Sequence, residues 1–257
     1  DDNESSSSDN DTTTSTTATT NTITIDDALN KHAHFGMFQY ILLQICGSGW
    51  AYDGVEMAVI PFVLPHVTLE WKLSPLDRGL LSSTVFLGMF LGASINGLIS
   101  DRWGRKIVML YAMFVTSVFG MLSSLATSYW MFLSLRMCVG FGLGGIVPTD
   151  YSMLMEYVTR ENRGSFVGLI NIYYVLGAMI ECVLAWVLLS VASWRWLVFV
   201  SAVTGLLAFC TRFFVPESPR YLLVNKRETE ALYSVRKVAR WNGVDTGSSP
   251  LFRDNVQ

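Results

Sequence analysis

Six long apolar stretches, each close to the roughly 20 residues that cross a hydrocarbon core of about 30 Å, constrain this chain more than anything else in it. They run at about 38–63, 78–99, 107–126, 130–150, 165–189 and 195–214, separated by short links. Such spacing predicts an all-α membrane protein, a six-transmembrane-helix bundle. The composition agrees: 51% of the residues are hydrophobic and 15% charged, with the charges gathered between the apolar runs. The lipid bilayer is therefore the first expected partner.

Residues 1–34 read as a disordered cytoplasmic tail, because a run of Ser, Thr, Asp and Asn has little apolar surface to bury. It carries the sequons Asn3-Glu4-Ser5 and Asn10-Asp11-Thr12. The chain opens at Asp1, reaches its first Met at Met37 and ends in a polar stretch, so a fragment of a longer protein is expected. Residues 35–215 form the expected transmembrane bundle and 216–257 a cytoplasmic linker. Within the linker, Ala231, Leu232, Val235, Val238 and Ala239 recur at helical spacing and predict an amphipathic helix over 226–241, either on the bilayer surface or docked on the bundle.

Lys and Arg near helix ends stay on the cytoplasmic side. With the tail inside, fourteen of them share its face, against Lys72, Arg78 and Arg195 on the other. Both termini are thus expected in the cytoplasm. The four cysteines lie in apolar runs without metal-ligand spacing and read as packing residues.

Five ionisable residues fall inside the apolar stretches: Asp53, Glu56, Arg136, Asp150 and Glu181. A charge at membrane depth costs several kcal/mol unless paired or hydrated, so each marks a cavity or a partner. Asp53 lies about ten residues from the outer end of its stretch and Arg136 about six from the outer end of its own, an offset of roughly 6 Å at the helical rise. Asp53 and Arg136 are expected to pair, with the pairing set by whether Asp53 carries a proton. A static ion pair, or contact with solute without coupling, are the other readings. Glu56, Glu181, Asp150 and Tyr173 are expected around a solute cavity; the carboxylates suit a cation and Arg136 equally an anion.

The most specific motif is Gly97-Leu98-Ile99-Ser100-Asp101-Arg102-Trp103-Gly104-Arg105-Lys106. Gly97 is expected to let two helices approach, Gly104 to permit a tight reversal, and Asp101 to meet a helix end or an Arg. The pattern resembles the G-x-x-x-D-R-x-G-R-K loop of the major facilitator superfamily. Arg136-Met-Cys-Val-Gly140-Phe-Gly142-Leu-Gly-Gly145 is similar to that superfamily's fourth-helix pattern, Glu156 with Arg163-Gly164 resembles its sugar-porter loop, and Pro216-Glu217-Ser218-Pro219-Arg220 resembles the motif that ends its first half. Ala51-Tyr-Asp53-Gly54-Val55-Glu56-Met57 is similar to the branch containing synaptic vesicle glycoprotein 2 and its related protein, close to organic-ion and sugar transporters.

The resemblance implies the amino-terminal half of a twelve-helix carrier that works by alternating access with a carboxy-terminal six-helix half. It implies a small organic ion or sugar-like solute, proton coupling through Asp53 and Arg136, and a plasma-membrane or vesicle location. It further implies a cytoplasmic gate built from Gly97, Asp101, Arg102, Gly104, Arg105, Lys106, Glu156, Arg163, Glu217 and Arg220. A transporter-shaped vesicle protein acting as a receptor or regulator without transport is the alternative. His32, His34 and His66 lie in the tail and an outer loop and no phosphate-cradling glycine loop is present, so no enzyme, no cofactor and no nucleic-acid partner is expected.

Overall fold

The computed structural model describes residues 36–159 and 161–243; the tail, its sequons, Arg160 and residues 244–257 lie outside the described residues. The described residues form α1 (Met37–Trp71), α2 (Pro75–Trp103), α3 (Arg105–Ser124), α4 (Tyr129–Tyr157), α5 (Arg163–Val191), α6 (Trp194–Thr211, continued by a 3-10 turn Arg212–Phe214), α7 (Pro219–Val224) and α8 (Glu228–Trp241). Helices α2 to α6 each have the length and apolar content of a membrane span. Helix α1 carries two carboxylates, Asp53 and Glu56, in its middle, and its 35 residues extend for about 52 Å within the same bundle.

The helices outrun the apolar stretches because their polar ends leave the hydrocarbon while keeping their own hydrogen bonds. Helix α1 continues to Trp71 through Pro61 and Pro65. Ser74 opens α2 with a reciprocal cap, accepting from the Asp77 N–H at 3.2 Å while Asp77 accepts from the Ser74 N–H at 3.1 Å, and Pro75 takes the first helical position. Gly104, at φ +102°, turns the chain directly from α2 into α3, a conformation that a side chain disfavours.

Helix α2 packs on α4 and α5 on α1, while α3 lies across α4 and α6, so α1 and α4 occupy the middle of the bundle. Small residues set the α2–α4 distance. A Cβ on Gly88 or Gly92 would run into the carbonyls of Met137 and Phe141, and one on Gly140 or Gly144 into those of Val85 and Met89. Gly97, expected to allow such an approach, instead faces outward with nothing within 4 Å of a built Cβ. The approach is made one and two turns earlier in α2, on the face that meets α4.

Helix α8 docks on the bundle. Val235, Val238 and Ala239 join Phe38, Met153, Leu154 and Tyr157 in one buried cluster, and Trp241 meets Phe38 edge-on at 5.9 Å. Asn242 Oδ1 accepts the Phe38 N–H at 2.8 Å and Gln39 Oε1 accepts the Gly36 N–H at 3.0 Å, so two of the orphan donors at the start of α1 are satisfied.

Candidate functional site

The charged residues of the apolar stretches collect where α1, α4, α5 and α6 meet. Arg136 Nη1 donates to Glu56 Oε2 at 2.7 Å and Nη2 to Ser123 Oγ at 2.6 Å, and the guanidinium stands 5.3 Å from the centre of the Phe132 ring. Tyr52 donates to the other Glu56 oxygen at 3.0 Å. Both members of this pair are buried. Arg136 therefore pairs with Glu56, and the expected Asp53–Arg136 contact is not made. Glu56 lies three residues nearer the C-terminal end of α1 than Asp53, about 4.5 Å at the helical rise, which brings it level with Arg136. Each Glu56 oxygen thus accepts one hydrogen bond, and the residue sits inside a buried pair rather than on an open surface.

Asp53 lies one turn inward on the same side of α1, buried, with Oδ1 bonded to nothing. Two acids, Glu56 and Asp150, lie within electrostatic reach of it. Glu181 on α5 has no exposed surface and lies 2.8 Å from Ser201 Oγ of α6. Tyr173 is half-buried with its ring against Gly47.

Asp150 is not in an open cavity. Arg212 grips it through two bonds of 2.7 and 2.6 Å and donates a third, at 3.2 Å, to the Met109 carbonyl. Gly49 of α1 leaves the room for this pair, because a Cβ there would strike both side chains. Arg212 is one of the fourteen Lys and Arg residues on the tail's side of the charge count. Its position directly after the sixth apolar stretch, followed by Phe213-Phe214, was the available signal.

Inside the membrane layer the acids outnumber the bases. Among the described residues the bundle interior holds Asp53, Glu56, Asp150 and Glu181 against Arg136 and Arg212, and each guanidinium already has its carboxylate. Two carboxyls, Asp53 and Glu181, have no cation bonded to them. An ionised carboxylate left so in a low-dielectric interior costs several kcal/mol, and such groups take up a proton or a cation instead.

At the end of the bundle where Gly104 turns α2 into α3, Arg105 pairs with Glu156, which also accepts the Ser218 hydroxyl. Glu217 Oε1 accepts the N–H groups of Arg105 and Lys106, both at 3.1 Å, so a carboxylate caps the positive end of α3. Lys106 Nζ donates to the Phe213 carbonyl at 3.3 Å, and the Tyr221 hydroxyl donates to the carbonyl of Arg102 at 3.0 Å. Arg163 Nε donates to the Val158 carbonyl at 3.2 Å. Arg105, Glu156, Arg163 and Arg220 line a polar cleft of about 450 Å³. Asp101 is exposed and makes no ion pair among the described residues, so the partner expected for it is not found within this bundle.

The sugar (and other) transporter family matches residues 9–251, nearly the whole chain. The chain belongs to that family. This member of the major facilitator superfamily is 36% identical over 219 residues to organic cation/carnitine transporter 7 of Arabidopsis thaliana, covering 85% of the chain and 43% of that protein. It is 34% identical to synaptic vesicle 2-related protein of Xenopus laevis, covering 87% of the chain and 40% of the relative, and 32% identical to synaptic vesicle glycoprotein 2A of Pongo abelii, covering 82% and 30%. The chain thus spans less than half the length of these relatives. The fold superposes on the proton:xylose symporter XylE bound to 6-bromo-6-deoxy-D-glucose with a TM-score of 0.72 at 19% identity, covering 78% of this chain and 50% of that one. The inward-open xylose transporter XylE from E. coli gives 0.64 at 18% identity, covering 79% and 56%. At that identity the likeness establishes the fold: the amino-terminal six-helix half of a major facilitator transporter, in a multi-pass membrane protein.

Proposed function

We propose that the full-length protein is a proton-coupled secondary carrier of a small organic ion or sugar-like solute, and that Asp53 exchanges the coupling proton. The observation that carries this reading is the Asp53 carboxyl, buried, without a hydrogen bond on Oδ1, and one turn along α1 from Glu56, the acid that holds Arg136. Protonated, Asp53 is neutral and Glu56 keeps Arg136. Deprotonated, Asp53 needs a positive partner, and Arg136 is the guanidinium that α4 offers one turn away. A shift of Arg136 between the two acids of α1 would connect proton loading to the relative position of α1 and α4. The names of two relatives, an organic cation/carnitine transporter and a proton:xylose symporter, support the solute classes and the coupling.

Alternating access requires a carboxy-terminal six-helix half, against which this half rocks. The outward faces of α2 and α5, bearing Phe90, Leu98, Met179 and Trp186, are the least buried of the spans and suit that contact. Gly97 and Asp101 would meet the second half there. Arg102, Gly104, Arg105, Lys106, Glu156, Arg163, Glu217 and Arg220 would close the cytoplasmic gate, with both ends of the chain in the cytoplasm. The plasma membrane or a vesicle is the proposed location.

A receptor-like protein that does not transport would use Glu56–Arg136 as a fixed brace, which its burial and its Ser123 and Tyr52 contacts also allow. Asp53→Asn separates the readings. In proteoliposomes of the full-length protein, uptake of radiolabelled carnitine, tetraethylammonium or xylose driven by a proton gradient should be lost in the variant. A wild-type protein that takes up none of the three under any gradient would favour the receptor.

A further inference from the structure

The contact between α5 and α6 holds a carboxyl group whose short contact to Ser201 is best satisfied with a proton on it. Ser201 Oγ lies 2.8 Å from Glu181 Oε2 and 2.7 Å from the carbonyl of Leu197. A serine hydroxyl carries one hydrogen, whereas a carbonyl and an ionised carboxylate only accept. An ionised Glu181 would therefore compete with Leu197 for that hydrogen, and its other oxygen, Oε1, is buried with no partner at all. With the proton on Glu181, the carboxyl O–H donates to Ser201 Oγ and the serine O–H donates to the Leu197 carbonyl. Both close distances are then hydrogen bonds.

The surroundings lead to the same protonation. Glu181 has no exposed surface, so water cannot solvate a charge there. Two charged groups face it: Glu56 on α1 repels an ionised Glu181, while Arg136 on α4 attracts it but is already gripped by Glu56. From α6 the facing group is the neutral Ser201.

We infer that Glu181 is a protonated carboxylic acid and that the α5–α6 contact is a second proton-binding site, separate from Asp53. Release is a plain ionisation: the O–H bond breaks, the proton passes to water, and the electron pair stays on the carboxylate. It needs water or a free cation at Glu181, and so a parting of α5 from α6 or an Arg136 that has let go of Glu56. The protonation stands on the hydrogen bonds and the burial; its part in transport rests on the proton-coupled reading.

The test is the infrared spectrum of the full-length protein in lipid at neutral pH, in water and in deuterium oxide, read at the carbonyl stretch of protonated carboxyls. Glu181→Gln, which keeps a neutral hydrogen-bond donor, should remove one such band. Ser201→Ala should shift the same band to higher frequency by removing its acceptor, and serves alone if the Gln variant does not fold. Asp53→Asn should leave that band in place. A Glu181→Gln spectrum that superimposes on the wild type, or a band that Ser201→Ala does not move, would overturn the protonated acid. In transport, Glu181→Gln should lower the protons carried per solute by one, and an unchanged count would overturn its role there. Should Asp53→Asn keep full gradient-driven uptake, the coupling scheme fails while the Glu181 band remains.

Discussion

Arg136 and Glu56 meet at 2.7 Å in the middle of the bundle, while Asp53, one turn inward on α1, is left without a cation. That division makes the two acids of α1 unequal, and it sets opposite expectations for their removal. Glu56→Gln leaves the Arg136 charge buried and uncompensated, which costs about 3–5 kcal/mol when one partner of a buried pair is lost. Asp53→Asn removes a carboxyl that no cation holds, and should leave thermal stability in detergent near or above the wild type. Melting curves of the two variants, read side by side, check the ordering.

The Asp150–Arg212 pair behaves as a unit. Asp150→Asn strands Arg212 among α1, α3 and α4 and should destabilise by about 3–5 kcal/mol, whereas replacing both with apolar residues of similar size should restore most of the loss. A double-mutant cycle on thermal unfolding measures this. Additive single effects would mean that the two side chains are not coupled.

Gly92 and Gly144 have facing backbone where a side chain would start. Leu at either position should prevent α2 from seating on α4 and lower the yield of folded protein, whereas Gly97→Ala should leave the folding of this half unchanged. Size-exclusion profiles of fluorescent fusions distinguish these outcomes. In the full-length protein Gly97→Ala becomes a test of the second-half contact, visible as loss of activity without loss of yield.

Glu217 caps α3 from the segment after α6. Glu217→Gln should keep one acceptor but lose its charge, weakening the cap by about 1 kcal/mol, within the range found for helix caps and dipoles. Faster proteolysis near Gly104 is the expected readout.

Much of this was legible in the sequence, and the failures share a cause. Apolar length gave the spans, and local chemistry gave the reversal at Gly104, because both depend on neighbouring residues. The amphipathic spacing of 226–241 gave α8 but could not choose between bilayer and bundle, a choice made by Phe38 and Tyr157 from other helices. Asp53, Glu56 and Arg136 stood out as candidates because charges at membrane depth are costly. Which acid meets Arg136 depends on the axial offset of α1 against α4, and an error of one turn exchanges Glu56 for Asp53. Arg212 was hidden because a basic residue after an apolar stretch is the ordinary cytoplasmic flank. Ser201 carried no signal, since a lone hydroxyl in an apolar helix most often bonds its own backbone.

The most direct measurement is solute movement by Asp53→Asn in proteoliposomes, compared in two modes. Exchange of labelled for unlabelled solute at equal pH should persist, and accumulation driven by a proton gradient should vanish. Accumulation at the wild-type level in that variant would contradict proton exchange at Asp53.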